Sequence, residues 1–413
     1  MHAPSAPVRW HPRRSKSDAS AVPHARFDPA DFQPALETQL LILQATPFCN
    51  IDCNYCYLLE RDSTARMSVA TARLAARRLR EDGLLGAALT VVWHAGEPLA
   101  MPIAFYDEAI AAIAAEIGAH CDVMHAIQTN ATLIDAAWCA LFERHRIAVG
   151  VSIDGPRALH DAHRRSRSGG GTFDRVLRGM AALRAHGIPF HAIAVVTDAT
   201  LADPDAFCDF FEAQGITELG CNFDEAEGAH LASSLAGREA AHAAFLARLL
   251  DRTLAGSALR VRELQTAFAL IAEPLPRIRW RSNAWPANTQ ALPFAIVSVA
   301  ANGDFGSFSP ELLGQPSHDY GDFVLGNVVR ESYLASTALP RFERLWADIA
   351  FGLEACERGC AHFGFCGGGA PANKFYENGD FASTETLYCR TMVKRPFDAV
   401  LAQLERDAAA ASI

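Results

Sequence analysis

The chain reads as an α/β protein, a partial (β/α)6 barrel followed by a smaller cysteine-rich domain. Three observations lead there. Short apolar, β-branched-rich runs alternate with long Ala/Leu/Arg stretches of helical period between residues 39 and 228. Cysteines and polar residues gather just after those runs. Near residue 290 the texture changes to short strands, glycines and clustered cysteines. The runs are 39–45, 89–95, 123–129, 147–153, 189–197 and 217–224. They are predominantly apolar and separated by helical stretches, which is the pattern of parallel strands covered on both faces; right-handed crossovers curl such a sheet into a barrel or part of one. The expected organisation is a flexible tail over 1–36, rich in Pro, Arg, Ser and Ala, then the barrel over 37–228. A helical bridging region over 229–293 and the cysteine-rich domain over 294–413 follow, the latter closed by a helix over 395–410.

At 413 residues, half of them hydrophobic, the chain can bury a full core. Its net charge of -10 argues against a nucleic acid or an anionic membrane as partner, because both are held by basic surface. No apolar run reaches the roughly 18 residues of a spanning helix, and the N-terminus lacks the apolar core of a secretory signal. The expectation is therefore a cytoplasmic protein. The cations are almost all Arg; Lys16, Lys374 and Lys394 are the only lysines, which reads as base composition. In a reducing compartment, cysteines that fall in clusters indicate metal rather than disulfides. Cys121, Cys139, Cys208 and Cys221 stand alone among apolar residues and read as small buried hydrophobes.

Cys49, Cys53 and Cys56 lie within eight residues on the loop leaving the first strand. Thiolates are soft ligands suited to iron-sulfur clusters, and three ligands for four irons leave one iron open, as a catalytic metal requires. A zinc site would need a fourth ligand such as His94. Cys356, Cys360, Cys366 and Cys389 surround Gly367-Gly368-Gly369 and can ligate one cluster completely, which suits electron transfer or structure. A four-cysteine zinc site has the same spacing.

The first motif, with Tyr55 just before its third cysteine, closely resembles the signature of the radical S-adenosylmethionine (SAM) superfamily. The resemblance implies a TIM-like partial barrel and a [4Fe-4S] cluster on Cys49, Cys53 and Cys56 whose open iron is chelated by SAM. Reductive cleavage would then give methionine and a 5′-deoxyadenosyl radical that takes a substrate hydrogen. It implies further that the backbone beside Tyr55 contacts adenine. His94-Ala95-Gly96-Glu97-Pro98 resembles the family's Gly-Gly-Glu-Pro segment, placing Gly96, Glu97 and Pro98 at the methionyl amino group. Ala95 in place of the first glycine predicts no positive φ at that position. Gln128, Asn130, Ser152 and Asp154 resemble residues lining the ribose and the methionyl carboxylate, although Asn130 and Asp154 read equally well as caps of the following helices. Arg164, Arg165 and Arg167 before Gly169-Gly170-Gly171 form either a cationic loop near a carboxylate or a solvated one.

The C-terminal cysteines resemble the SPASM domain of peptide-modifying radical SAM enzymes. Segment 303–312 lacks the expected cysteines and Ala370 stands where another is expected. The resemblance therefore implies one auxiliary [4Fe-4S] cluster instead of two. VVWHAGEP, QTNATLID, VGVSIDGP and LHDAHRRSRSGGGTFD, with the cysteine module, are most similar to cyclophane-forming maturases of the glycine-rich-repeat (GrrM/OscB) type. That similarity implies a ribosomally made precursor peptide as substrate, a crosslink from an aromatic ring carbon to a Cβ, and an electron donor of flavodoxin or ferredoxin type. Asp224, Glu225 and Glu227 follow the sixth strand as candidate bases for the ring proton, or as a solvated loop. A sulfatase maturase and a non-catalytic zinc module are the other readings.

Overall fold

One sheet organises the protein, whose structure is a computed structural model describing residues 27–411. Six strands, β1 (Thr38–Leu43), β2 (Leu85–Trp93), β3 (Asp122–Thr129), β4 (Ala148–Ser152), β5 (Phe190–Val196) and β6 (Glu218–Phe223), pair in parallel in chain order. They are the six runs read from the sequence, shifted by a few residues at their ends. Leu41, Val91, Ile127, Val151, Ala194 and Cys221 on them are fully or almost fully buried. This burial accounts for the apolar residues that dominate the runs.

The sheet stays open. It continues beyond β6 into β7 (Arg260–Val261), and beyond β1 into β8 (Ile296–Val299), β9 (Asp304–Ser307) and β10 (Gly326–Asn327), giving ten strands. β8 runs parallel to β1 with Ile296 opposite Leu40, so the chain after the expected boundary at 293 adds directly to the central sheet. The physical reason is that β1 would otherwise present an unpaired row of backbone groups.

Helices α1 (Val69–Glu81), α2 (Ile103–Ile117), α3 (Ala136–His145), α4 (Arg157–His163), α5 (Phe173–Ala185) and α6 (Pro204–Ala213) occupy the crossovers. The bridging region holds α7 (Glu239–Leu254) and α8 (Arg262–Ala272), and the cysteine module is framed by α9 (Pro340–Gly359) and α10 (Arg395–Ala411). α10 packs against α7 and α8, so the closing helix braces the bridging region as well as its own. No helix among the described residues is long and apolar enough to cross a membrane.

The expected tail is shorter than 1–36. Phe27, Phe32 and Leu36 are buried, Phe32–Gln33 pairs antiparallel with Arg277–Trp280, and the Phe27 ring meets Phe342 edge-on at 5.0 Å. Aromatic burial anchors this segment despite its lack of period. The rest of the expected tail, 1–26, lies outside the described residues.

Phe305 on β9 is fully buried and its ring meets Tyr333 at 4.8 Å. Phe305→Ala should cost about 3–5 kcal/mol. Because β9 belongs to the sheet built on β1, calorimetry should show the whole chain melting earlier in one transition. A separate early transition would mean that the two parts unfold independently.

Candidate active site

A cavity of about 670 Å³ opens at the C-terminal ends of β2 to β6. Cys49, Cys53 and Cys56 line one end; Glu225, Glu227 and Glu311 line another part of the same space. The cysteine loop is strapped down. Ile51–Cys53 pairs antiparallel with Arg164–Ser166, Arg167 Nε donates to the Cys49 carbonyl at 2.6 Å, and Arg61 Nη1 donates to the Cys53 carbonyl at 2.9 Å. The arginine-rich segment divides: Arg164 is buried against the Asp154 carboxylate, whereas Arg165 and Arg167 are exposed.

Burial pushes the Cys49 and Cys53 thiols up to about 12, with the nearby Glu97 carboxylate adding to the effect at Cys49. Thiols so placed become thiolates only against a positive centre, as metal coordination provides. Among the described residues no three His, Cys, Asp or Glu side chains stand close enough together to hold a single metal ion. The donor chemistry fits a cluster. His94, the candidate fourth zinc ligand, lines the same cavity and is lowered to about 4 by burial.

The turn after β2 differs from expectation at one point. Ala95 has φ 70 and Gly96 φ 60, so alanine occupies a left-handed position. The glycine is required at 96, where a Cβ would lie 2.3 Å from the Thr46 carbonyl oxygen. The strain at Ala95 is held by the hydrogen bond from Glu97 N to the Phe48 carbonyl at 2.7 Å, which joins this turn to the cysteine loop. Glu97 is buried, and its carboxylate accepts from Leu99 N at 2.9 Å, Thr129 Oγ1 at 2.6 Å and Asn130 N at 2.8 Å. Burial raises it to about 6 despite these donors. The single bond at Oε2 leaves acceptor capacity toward the cavity.

Gln128, Asn130 and Ser152 line the cavity, with Gln128 Nε2 donating to Ser152 Oγ at 2.9 Å. Gly150 makes room for this pair, since a Cβ there would meet Gln128 Oε1 at 2.0 Å. Asn130 Nδ2 reaches Asn50 Oδ1 at 2.8 Å and stands 3.8 Å from Cys49 Sγ. It does not cap α3, which Asp135 does. Pro98 is buried in the turn and is absent from the cavity lining.

Asp154 is likewise absent from the lining and caps no helix. Its carboxylate instead gathers four segments. It accepts from Tyr55 OH at 2.5 Å, from Arg164 Nε at 3.0 Å and from Val195 N at 3.0 Å. Both members of the Arg164–Asp154 pair are buried. Arg164 faces the cavity, its guanidinium 5.4 Å from the Tyr55 ring centre and 4.0 Å from Cys53 Sγ. Arg164, not Asp154, is the charged group presented to the cavity, and the sequence signal for it was the arginine run itself.

The three acidic candidates separate. Asp224 accepts from His230 Nε2 at 2.9 Å and Ser234 N at 2.7 Å; burial raises it, but these donors outweigh burial and hold it below the usual range. Burial raises Glu225 and Glu227, and Glu311 adds to both; Glu225 pushes Glu227 up further, whereas the hydrogen bond with Glu227 pulls Glu225 down. Asn373 Nδ2 bridges them, at 2.7 Å from Glu225 Oε2 and 3.3 Å from Glu227 Oε1. Glu311 and Asn373 carried no sequence signal as site residues, although Glu311 lies in the segment lacking the expected cysteines. The loop that carries Glu225 and Glu227 is fixed to the cysteine loop: Ala229 N donates to the Tyr57 carbonyl at 2.9 Å, and a Cβ on Gly228 would lie 2.3 Å from that oxygen.

Cys356, Cys360, Cys366 and Cys389 line one smaller cavity of about 90 Å³. Gly367, Gly368 and Gly369 all have positive φ, and the Gly368 and Gly369 N–H groups point at the Cys366 sulfur. Four thiols around one space fit a fully ligated centre. Cys121, Cys139, Cys208 and Cys221 are buried, as packing residues should be.

Asp154→Leu leaves the Arg164 charge buried without its partner and should cost about 3–5 kcal/mol in urea unfolding. Asp154→Leu combined with Arg164→Met should cost markedly less than the sum of the single changes. Additive losses would show that the pair is uncoupled.

Comparisons with known proteins bear on this geometry. The radical SAM superfamily model matches residues 43–211. An uncharacterised protein of Synechocystis sp. is 36% identical over 375 residues, 89% of this chain and 92% of that protein. A serine-type anaerobic sulfatase-maturating enzyme of Bacteroides thetaiotaomicron is 32% identical over 213 residues, 48% of this chain and 50% of that enzyme. In fold, the chain is similar to anSMEcpe solved with bound AdoMet and the Cp18Cys peptide, with TM-score 0.70 and 20% identity over 91% of this chain and 99% of that one. It is also similar to Streptococcus suis SuiB bound to precursor peptide SuiA, with TM-score 0.58 and 15% identity over 86% and 76%. The cysteine loop, the Glu97 turn and the Arg164 pair all fall inside the matched span, and the chain belongs to the radical SAM superfamily.

Proposed function

We propose that this radical SAM enzyme is a peptide maturase that joins an aromatic ring carbon to a Cβ in a ribosomally made precursor. One observation carries the reading: a single cavity faces both the cysteine loop and the buried Glu225–Glu227 pair. The family implies SAM and a [4Fe-4S] cluster, which when bound to Cys49, Cys53 and Cys56 supply a 5′-deoxyadenosyl radical.

This chain's residues would do the rest. Arg164 is placed for the methionyl carboxylate and Glu97 for the amino group, as charge-assisted partners. Gln128, Asn130, Ser152 and the backbone beside Tyr55 would hold the ribose and adenine. Crosslinking removes one hydrogen atom from a substrate Cβ and, after the new carbon–carbon bond forms, one proton and one electron from the ring. The Glu225–Glu227 pair is the proton acceptor we favour, because a carboxylate raised by burial is a stronger base than Asp224, which is held low. A flavodoxin- or ferredoxin-type donor would supply the electron for SAM cleavage, and the electron from the ring would pass to an auxiliary cluster on Cys356, Cys360, Cys366 and Cys389.

Anaerobically reconstituted protein should hold about eight irons per chain, four for each cubane. Replacing Cys49, Cys53 and Cys56 by Ala should remove half of them. Zinc without iron would support a non-catalytic metal module instead.

Co-expression with a glycine-rich, aromatic-containing precursor should lower the peptide mass by two hydrogens per linkage, and tandem spectra should lack backbone fragments between the joined residues. The same mass loss with full fragmentation would point to side-chain oxidation, as in a sulfatase maturase. Glu225→Gln and Glu227→Gln should still release 5′-deoxyadenosine but lose crosslinking about a hundredfold or more. In the wild type the crosslinking rate should fall as pH drops through a range above the ordinary Glu value of about 4.3, because the raised pair takes up its proton there. Unaltered crosslinking in both variants would move the base elsewhere.

A further inference from the structure

Lysine is scarce in this chain, yet of its three lysines two, Lys374 and Lys394, line the small cavity with Cys356, Cys360, Cys366 and Cys389. Lys374 is only 3% exposed. Its Nζ donates to the Gly352 carbonyl at 3.3 Å and lies 3.4 Å from Cys356 Sγ. Among the described residues it makes no ion pair with a carboxylate. An ammonium buried without an anion is unfavourable, so the site calls for negative charge on the cysteine side.

The surrounding backbone is closely packed beside this ammonium. Gly352 stands inside α9, where glycine is unfavourable, and a Cβ there would lie 2.2 Å from the Phe381 carbonyl oxygen and 3.2 Å from Lys374 Nζ. Lys394 precedes α10 from the other side, its side chain 23% exposed and paired with Glu385 at 2.5 Å. An arginine would spread its charge over a planar fork; an ammonium concentrates it at one atom, which suits a compact anionic neighbour.

We propose that Lys374 and Lys394 compensate the negative charge of the auxiliary cluster and raise its reduction potential, making it an electron acceptor. This rests on reading the four thiols as cluster ligands. A cubane with four thiolates carries net negative charge that grows by one when it takes an electron. A fixed positive charge therefore stabilises the reduced form more than the oxidised form, and net charge and hydrogen bonds to the sulfurs are what set such potentials. Lys374 does both at Cys356, and Lys394 acts by its charge on Cys360 and Cys389.

The test uses the full chain with Cys49, Cys53 and Cys56 replaced by Ala, which leaves the auxiliary site alone to bind iron. After anaerobic reconstitution with iron and sulfide, potentiometric titration followed by EPR of the reduced cluster gives its potential. Lys374→Met should make the reduced form about tenfold harder to populate, a shift of about 59 mV to more negative values for one electron. Lys374→Arg should recover most of that shift, and Lys394→Gln should move the potential the same way by less. Iron lost in Lys374→Met but kept in Lys374→Arg would also support the charge requirement; if both lose iron, the potential of Lys394→Gln decides. Unchanged potentials with iron intact would overturn the proposal and leave the cluster reading standing. Zinc, or no metal, in the parent triple-Ala protein would overturn the cluster reading itself, and the proposal with it.

Discussion

The buried pair of Asp154 and Arg164 is the interaction on which the cofactor end of the molecule depends. One carboxylate at the end of β4 receives donors from the cysteine loop, from β5 and from the strap that pairs with the cysteine loop. Removing charges from water is expensive, and the expense is recovered only where geometry and further hydrogen bonds are complete. Here they are, and the result is a cation fixed beside Cys53 without a mobile side chain. Glu97 plays the same part on the neighbouring strands, tying the turn after β2 to the end of β3. The two carboxylates look like ligand-binding groups in the sequence, but much of their hydrogen-bonding capacity is spent on holding the walls.

The six parallel strands were legible because burial writes itself into composition: a short run dominated by apolar residues has few other places to go. What lay outside that signal was pairing over long sequence distance. β8 is a short apolar run like the others, and nothing in residues 296–299 announces that its partner is β1, more than two hundred residues earlier. The packing of Phe27 and Phe32 was missed for a related reason. Two aromatics without periodicity leave no pattern, though each buries enough apolar surface to anchor a strand.

The site divides along the same line. Cys49, Cys53, Cys56, Gln128, Asn130 and Ser152 sit in contiguous motifs at strand ends, and the fold brings them to one cavity. The distinction between Asp154 and Arg164 was hidden, since only the direction of a side chain tells which of two paired residues faces the ligand. Glu311 and Asn373 reach Glu225 and Glu227 from the far part of the chain, so their association is a product of tertiary folding alone. Ala95 shows the opposite case: its residue type argued for an ordinary backbone, and the neighbouring hydrogen bond from Glu97 N overrode that preference.

The contact between Gly228 and the Tyr57 carbonyl gives the cavity a fixed gauge. The backbone of the acidic loop rests on the backbone of the cysteine loop, with no side chain between them to yield. The two working ends of the cavity therefore share one frame, like the jaws of a caliper locked at a single opening. On the peptide-maturase reading proposed above, a substrate would meet both ends only if its reacting atoms stand at that separation, whatever the residues on either side. Selection of this kind operates by span instead of by sequence, and it would treat successive repeats of one short motif as equivalent.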